Sequence, residues 1–371
     1  MEHSIHLWHR CRYIVPMLAL LVALPSCTND GQDATEAVGK PLQFRISLEG
    51  YNGAGQTRGA PLSSLDESIG MFAFNYSDPD GWNEGLRPSY FYNDEVINLG
   101  DRWITSTSYT PPAKDSKMRV FAYYPFVDTE DEEAYAASPL QLSTATDQGT
   151  PFFYYTVPDA VEKQMDLMAG CTPEVVIGDD SEAALSLSVS HLLAGVQLVT
   201  GDRVTERGTV TGITLRGVYG RGVYTYGEGW ELLRYDNEND LWNYSQELSF
   251  VMDGTAGKVI NDDEATFLML PQVLTQDAVL EVKYLCGGTT HTLTHSLKDF
   301  EWKAGRIARY TINIESLTRM TVTEHITPWD DGFTMVDGRS TSHAVVDPTA
   351  NMNNWDGKDD EDNDLDFGLE N

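Results

Sequence analysis

Positive charge is scarce in this chain. Across 371 residues, 25 Lys and Arg face 57 Asp and Glu, a formal net charge of −32. A protein that grips a phosphate backbone needs a cationic footprint, so no nucleic-acid partner is expected. Cysteine is thin as well: four residues are too few for a disulfide scaffold. Beyond the N-terminus no run approaches the ~18 apolar residues of a membrane-spanning helix. No long window carries a 3.6-residue apolar period. Walker loops, Rossmann glycines, HExxH and GxSxG are all missing. His291 and His295 stand four apart, as metal ligands on one strand face might, but a polar strand face or hairpin is the preferred reading. The acidic tail lacks the turn glycine and distal Glu of a calcium loop. With 57 acids, no carboxylate pair stands out as a catalytic dyad. The sequence therefore makes no case for an enzyme, a cofactor or a metal.

The N-terminus reads as an export address. Arg10 and Arg12 precede an almost wholly apolar run from Tyr13 to Leu24, too short to span a bilayer but suited to a signal peptide. It ends in Leu24-Pro25-Ser26-Cys27, which resembles a bacterial lipobox with Cys27 as the lipidated first residue after a signal peptide of residues 1–26. Acyl chains on Cys27 would hold the protein on a membrane surface without a transmembrane helix. A polar tether spans residues 27–40. Cys171 and Cys286 are expected as buried free thiols, with a disulfide as the alternative.

Strand patterns begin at once. Leu42, Phe44, Ile46 and Leu48 alternate with Gln43, Arg45 and Ser47, a strand with one buried face. A turn-rich stretch from Tyr51 to Pro61 follows. Further strands are expected at Ile69–Tyr76, Lys117–Tyr124, Phe152–Val157, Ile213–Val218, Tyr224–Tyr226, Phe267–Leu270, Val279–Tyr284 and Ile307–Ile314. Leu185–Val199 is long enough for two strands around Ser190-His191. The pattern is all-β, best met by sandwiches. An acidic break near Gly178–Glu182 suggests one β-sandwich over residues 41–180 and another over 181–332. Residues 333–371 form a C-terminal segment, in which Asp356–Glu370 holds eight acids against one Lys and is expected to stay solvated.

The order of the motifs is informative. The lipobox and first strand are followed by Thr57-Arg58-Gly59, Leu65-Asp66-Glu67-Ser68-Ile69-Gly70-Met71-Phe72 and Lys117-Met118-Arg119-Val120-Phe121-Ala122-Tyr123-Tyr124-Pro125. Asp166-Leu167-Met168, Ser190-His191-Leu192-Leu193-Ala194, Leu270-Pro271-Gln272, Trp302-Lys303-Ala304-Gly305-Arg306 and Trp329-Asp330-Asp331-Gly332 complete the series. In this order they resemble the fimbrillin family of Bacteroidales, the subunits of type V pili and related surface lipoproteins. The resemblance covers nearly the whole mature chain up to Gly332.

It implies two tandem transthyretin-like β-sandwich domains, export as an outer-membrane lipoprotein, and cleavage by an Arg-specific surface protease in the loop after the first strand. Arg58-Gly59 is the matching processing site, and Leu42, Phe44, Ile46 and Leu48 would leave with the displaced strand. Another pilus subunit would then supply a donor strand, as the family's C-terminal segment does in shaft subunits. The expected donor lies between Gly332 and Val346, with Phe333, Met335, Val336, Val345 and Val346 as its apolar residues. The implied setting is a surface fimbrium that supports adhesion to a host or bacterial ligand. The alternative is a stand-alone surface lipoprotein that binds glycans or host proteins through Trp82, Tyr90, Phe91, Tyr92, Trp103, Trp230 and Trp242.

Overall fold

The computed structural model describes residues 40–48, 60–61, 68–77, 79–100, 102–178, 184–234, 241–261, 265–329, 333–336 and 339–342. Strand is their main secondary structure; one short α-helix is present among them, α1 (Glu132–Ala137), capped by the Asp131 carboxylate accepting from the Ala134 N–H at 3.0 Å. The first eleven strands are β1 (Lys40–Leu48), β2 (Ala60–Pro61), β3 (Ile69–Tyr76), β4 (Phe91–Asn98), β5 (Trp103–Tyr109), β6 (Lys117–Tyr124), β7 (Leu140–Leu142), β8 (Phe152–Thr156), β9 (Met168–Cys171), β10 (Val175–Val176) and β11 (Leu185–His191). The remainder are β12 (Ala194–Val204), β13 (Gly208–Tyr219), β14 (Arg221–Thr225), β15 (Gly229–Leu232), β16 (Leu241–Met252), β17 (Phe267–Met269), β18 (Gln272–Val273), β19 (Val279–Cys286), β20 (Thr289–Ser296), β21 (Glu301–Trp302), β22 (Arg306–Ser316), β23 (Arg319–Pro328), β24 (Phe333–Val336) and β25 (Arg339–Ser342).

The first sheet runs β10-β6-β3-β4-β5-β1-β11-β9, with β2 beside the end of β1, and β9 also pairs with β6, so that β6-β3-β4-β5-β1-β11-β9 form a circuit. Seven strands thus close into a ring. The alternation along β6 explains why both of its faces are apolar. Met118, Val120, Ala122 and Tyr124 point into the ring, where they meet Phe44, Met71 and Trp103. Phe121 and Tyr123 point outward, with Phe72 and Phe74 of β3, into a second core. Strands buried on both faces lose the polar half of the usual pattern. A ring this small is filled by its own side chains. Closure differs from an open sandwich, and β9 makes it: Ala169 lies opposite both Tyr123 of β6 and Ser190 of β11. Gly170 permits the approach, since a Cβ there would stand 1.8 Å from the Ser188 carbonyl oxygen.

Downstream, β17-β12-β22-β23 and β16-β13-β19-β20 form two four-stranded sheets. Val196, Leu198, Tyr310 and Ile312 from one, and Ile213, Leu215, Leu280 and Val282 from the other, enter the same core. The long Leu185–Val199 pattern is two strands, with the chain passing from the ring into the next sheet between His191 and Ala194. Pairing crosses residue 180 freely. β11 belongs to the ring, and β8 joins β7, β14 and β15 in a fourth sheet. The Tyr226 hydroxyl donates to the Ala122 carbonyl at 2.9 Å, tying the turn after β14 to the ring wall.

Ring closure at Gly170 has a direct test. Gly170→Val should lower unfolding stability by about 2 kcal/mol or more, because backbone rather than a flexible side chain blocks the added atoms. Gly178→Ala, where nothing lies within 4 Å of the new Cβ, should change it by less than ~0.5 kcal/mol. Urea titration of both variants makes the comparison.

Candidate functional site

The feature that stands out is the seat of β1. The strand is bonded by segments distant in sequence, β5 along its first half and β11 along its second, the two overlapping at Phe44. β11 runs parallel to it, from Phe44 opposite Leu185 to Leu48 opposite Val189. β5 runs antiparallel, with Phe44 opposite Trp103 and Lys40 opposite Tyr109. The Leu42 N–H donates to the Thr105 hydroxyl at 2.9 Å, and the Ser47 and Ser188 hydroxyls meet at 2.9 Å. At its far end, Ser47 and Leu48 also pair with Pro61 and Ala60 of β2.

Period-2 geometry sends alternate side chains inward. Phe44 is 0% exposed and Ile46 5%. Leu42 and Leu48 are half-buried at the two ends, while Gln43 and Arg45 face out. Of the four residues expected to fill the groove, two do so completely. Full burial of a large aliphatic or aromatic side chain contributes roughly 1.5–3 kcal/mol, so Phe44 and Ile46 together supply on the order of 3–6 kcal/mol.

Among the described residues, the titratable groups packed against this core are phenols. Tyr90 and Tyr109 flank it; burial raises both phenols, Tyr109 to about 12, so they stay neutral at physiological pH. The Tyr90 hydroxyl donates to the Thr110 carbonyl at 2.5 Å. Unpaired strand edges and apolar walls are suited to hold an extended chain.

The ends of β1 differ. Towards its start, β11 offers no partner before Phe44, Pro41 has no N–H to give, and the β5 register shifts between Pro41 and Gln43. A cavity of about 620 Å³ opens there, lined by Pro41, Leu42, Ile104, Val176, Ile177 and Leu185 among others, with Lys40 and Arg102 as its charged residues.

Other expected sites fare differently. Cys27, Arg58, Gly59, Val345, Val346 and the acidic tail lie outside the described residues. Phe333, Met335 and Val336 fall in β24, which pairs with β25 as an antiparallel hairpin, Phe333 opposite Ser342 and Val336 opposite Arg339. Of the aromatic residues considered for sugar stacking, Phe91 and Trp103 are buried, and Trp82, Tyr90, Tyr92, Trp230 and Trp242 are half-buried. Phe91 and Trp103 belong to the ring core, and Tyr90 packs against it. The Tyr92 ring lies tilted against Phe72, and the Arg119 guanidinium sits over Trp82. The Trp230 ring N–H donates to the Leu192 carbonyl at 2.8 Å, and Arg221 covers Trp242.

His291 and His295 sit on β20, opposite Tyr284 and Leu280. No cluster of three or more metal-binding side chains occurs among the described residues. Cys171 and Cys286 are free and half-buried. Sequence reasoning gave no role to a buried pair, His191 Nδ1 at 2.9 Å from Asp166 Oδ1, stacked on the Trp329 ring. Their side chains are 4% and 0% exposed, which closes them to any substrate.

Against this geometry, the family model described as fimbrillin-like matches residues 64–329. The chain belongs to the fimbrillin-like family. Its architecture also resembles solved structures. A fimbrial protein from Bacteroides vulgatus ATCC 8482 is 18% identical, with 77% of this chain and 99% of that one covered and a TM-score of 0.55. A candidate cell adhesion protein from Bacteroides ovatus ATCC 8483 is 17% identical, with 78% and 98% covered and a TM-score of 0.52. At such identities the likeness concerns the fold. No curated protein matches the chain. The fimbrillin-like match starts beyond β1 and β2 and stops at Trp329, where β23 has just ended.

Truncating the inward face of β1 measures its grip. Phe44→Ala should lower stability by about 3–5 kcal/mol, whereas outward-facing Gln43→Ala should stay within ~0.5 kcal/mol. Urea titration followed by tryptophan fluorescence, to which Trp103 opposite Phe44 contributes, makes the measurement.

Proposed function

We propose that this fimbrillin-like chain is a structural subunit of a cell-surface fimbria, exported as a lipoprotein through Cys27 and assembled by strand exchange. An Arg-specific surface protease cuts at Arg58-Gly59, β1 departs with the lipid, and a strand from another subunit takes its place. In this proposal the ring and the paired sheets downstream are the counterparts of the family's tandem transthyretin-like domains. The polymer extends from the outer membrane and supports adhesion.

The observation that carries the reading is the position of β1. It is the first described strand, and it plugs a ring whose other six strands all come from beyond the proposed cut. Cleavage would therefore leave β1 held by non-covalent contacts alone. Its loss would bare one edge each of β5 and β11 and remove Phe44 and Ile46 from the ring core. A deficit on the order of 3–6 kcal/mol is comparable to much of a domain's net stability, so the vacated ring is expected to take up a replacement. Backbone pairing gives such a strand its affinity, and the inward pockets give it selectivity. Because donor and groove are different surfaces, the contact propagates head to tail.

Limited digestion of the folded protein with an Arg-specific protease tests this. The expected products begin at Gly59 and run as SDS-resistant ladders, while Arg58→Ala stays uncut and monomeric. A cleaved product that retains β1 and remains a monomer would refute the assembly mechanism.

A further inference from the structure

We propose that the cavity at the start of β1 binds one long-chain fatty acid, with its carboxylate at Arg102 and its alkyl tail over Met118 and Ile177. The site stands apart from strand exchange, because the intact, uncleaved chain already supplies every wall of it.

An irregularity in β1 makes the space. β11 does not pair with the strand before Phe44, and the β5 register shifts between Pro41 and Gln43. The cavity left beside them measures about 620 Å³. That lies within the ~300–1,000 Å³ of sites that enclose one small ligand. Its lining is graded by depth. Met118 and Ile177, 1% and 6% exposed, form the floor. Leu42, Ile104 and Leu185 are half-buried walls. Leu99 and Val176, 49% and 60% exposed, form the lip. The apolar surface therefore continues from the floor out to solvent, a shape that an extended tail covers along its whole length.

The lining selects the ligand's chemistry. Apart from Tyr109 its apolar side chains are aliphatic, and the Tyr109 ring packs against Phe91 at 5.0 Å and Tyr90 at 5.5 Å. A flat aromatic ligand would need open ring faces to stack on; a saturated tail needs none. Charge selects the head group. The chain as a whole carries −32, which repels anions in general. Yet among the described residues the charged groups lining this cavity are Lys40 and Arg102, and no Asp or Glu lines it. Trp103 and Thr105 turn into the ring, 3% and 0% exposed, so Arg102 shares the opposite face of the strand with Ile104. Arg102 is exposed. A guanidinium there can take a carboxylate in two parallel hydrogen bonds while the head group stays in water and the tail enters the cavity.

The test uses the full, uncleaved chain carrying Cys27→Ser, so that no acyl chain of its own competes. Parinaric acid, a fluorescent fatty acid, is the probe; laurate, palmitate and hexadecanol are the competitors. Saturable binding is expected. Each methylene added between laurate and palmitate should tighten displacement about fourfold where it enters the cavity. Hexadecanol, with palmitate's tail and no charge, should compete about tenfold more weakly than palmitate. Arg102→Glu should weaken palmitate by about the same factor, and Val176→Asp at the lip should weaken it too. Both substitutions are at exposed positions and should leave the urea midpoint of the ligand-free protein unchanged. Palmitate should raise that midpoint in the parent and not in Val176→Asp. Binding that does not saturate, that ignores tail length, or that is equal in Arg102→Glu overturns the proposal. So does binding to phosphatidylglycerol vesicles that palmitate fails to displace, which would make this face a contact for a lipid surface. Because every measurement is made on uncleaved protein, a failure to polymerise bears on strand exchange alone.

Discussion

The structure turns on one insertion: β1 lies between β5 and β11 and sends Phe44 and Ile46 into the ring. Its partners are far away in sequence; Ser47 and Ser188, whose hydroxyls touch, are 141 positions apart. Removing a strand from a sheet edge shortens the sheet. Removing this one opens a closed ring and bares two edges at once, which exposes unpaired backbone as well as apolar surface. The same contacts that complete the fold therefore define a complementary vacancy.

The remaining architecture keeps that vacancy in shape. β3 and β6 are pinned from outside by the second core, where Phe121 meets Tyr226 edge-on at 5.1 Å. β9 bridges β6 and β11 at the closest backbone approach, through Gly170. β11 continues through Leu192 and Leu193 into β12, the strand that pairs in parallel with β22 in the downstream sheet. Beside this passage, His191 packs between Asp166 and Trp329, at the end of the segment that leads to the C-terminal extension. One wall of the groove is thus continuous with the main core.

How much of this was legible follows from residue chemistry. β3 and β6 were read to the residue, because dense aromatic and β-branched runs bounded by Gly, Pro and polar residues admit little else. β1 was equally plain from its alternation, although its end positions proved half-buried. By contrast β5 (Trp-Ile-Thr-Ser-Thr-Ser-Tyr) carries hydroxyls where a buried face should show apolar residues and gives no strand pattern, while β20 (Thr-Thr-His-Thr-Leu-Thr-His-Ser) is legible only as a polar strand face around His291 and His295. β16 went unseen because most of it is exposed or half-exposed. Ring closure was out of reach, since it depends on register and on a glycine at one crossing. The groove's walls were hidden for the same reason: local pattern names a strand, but not its neighbours. Family membership followed from the order of motifs, none of which is decisive alone.

Amide hydrogen exchange on β5 and β11 tests the central claim most directly. It should be followed in the intact chain, after cleavage with β1 removed, and in the assembled polymer. The amides that face β1 within Trp103–Tyr109 and Leu185–Val189 should be protected in the first state, exposed in the second, and protected again in the third. Protection that persists after β1 has left, or that does not return on assembly, would contradict the account.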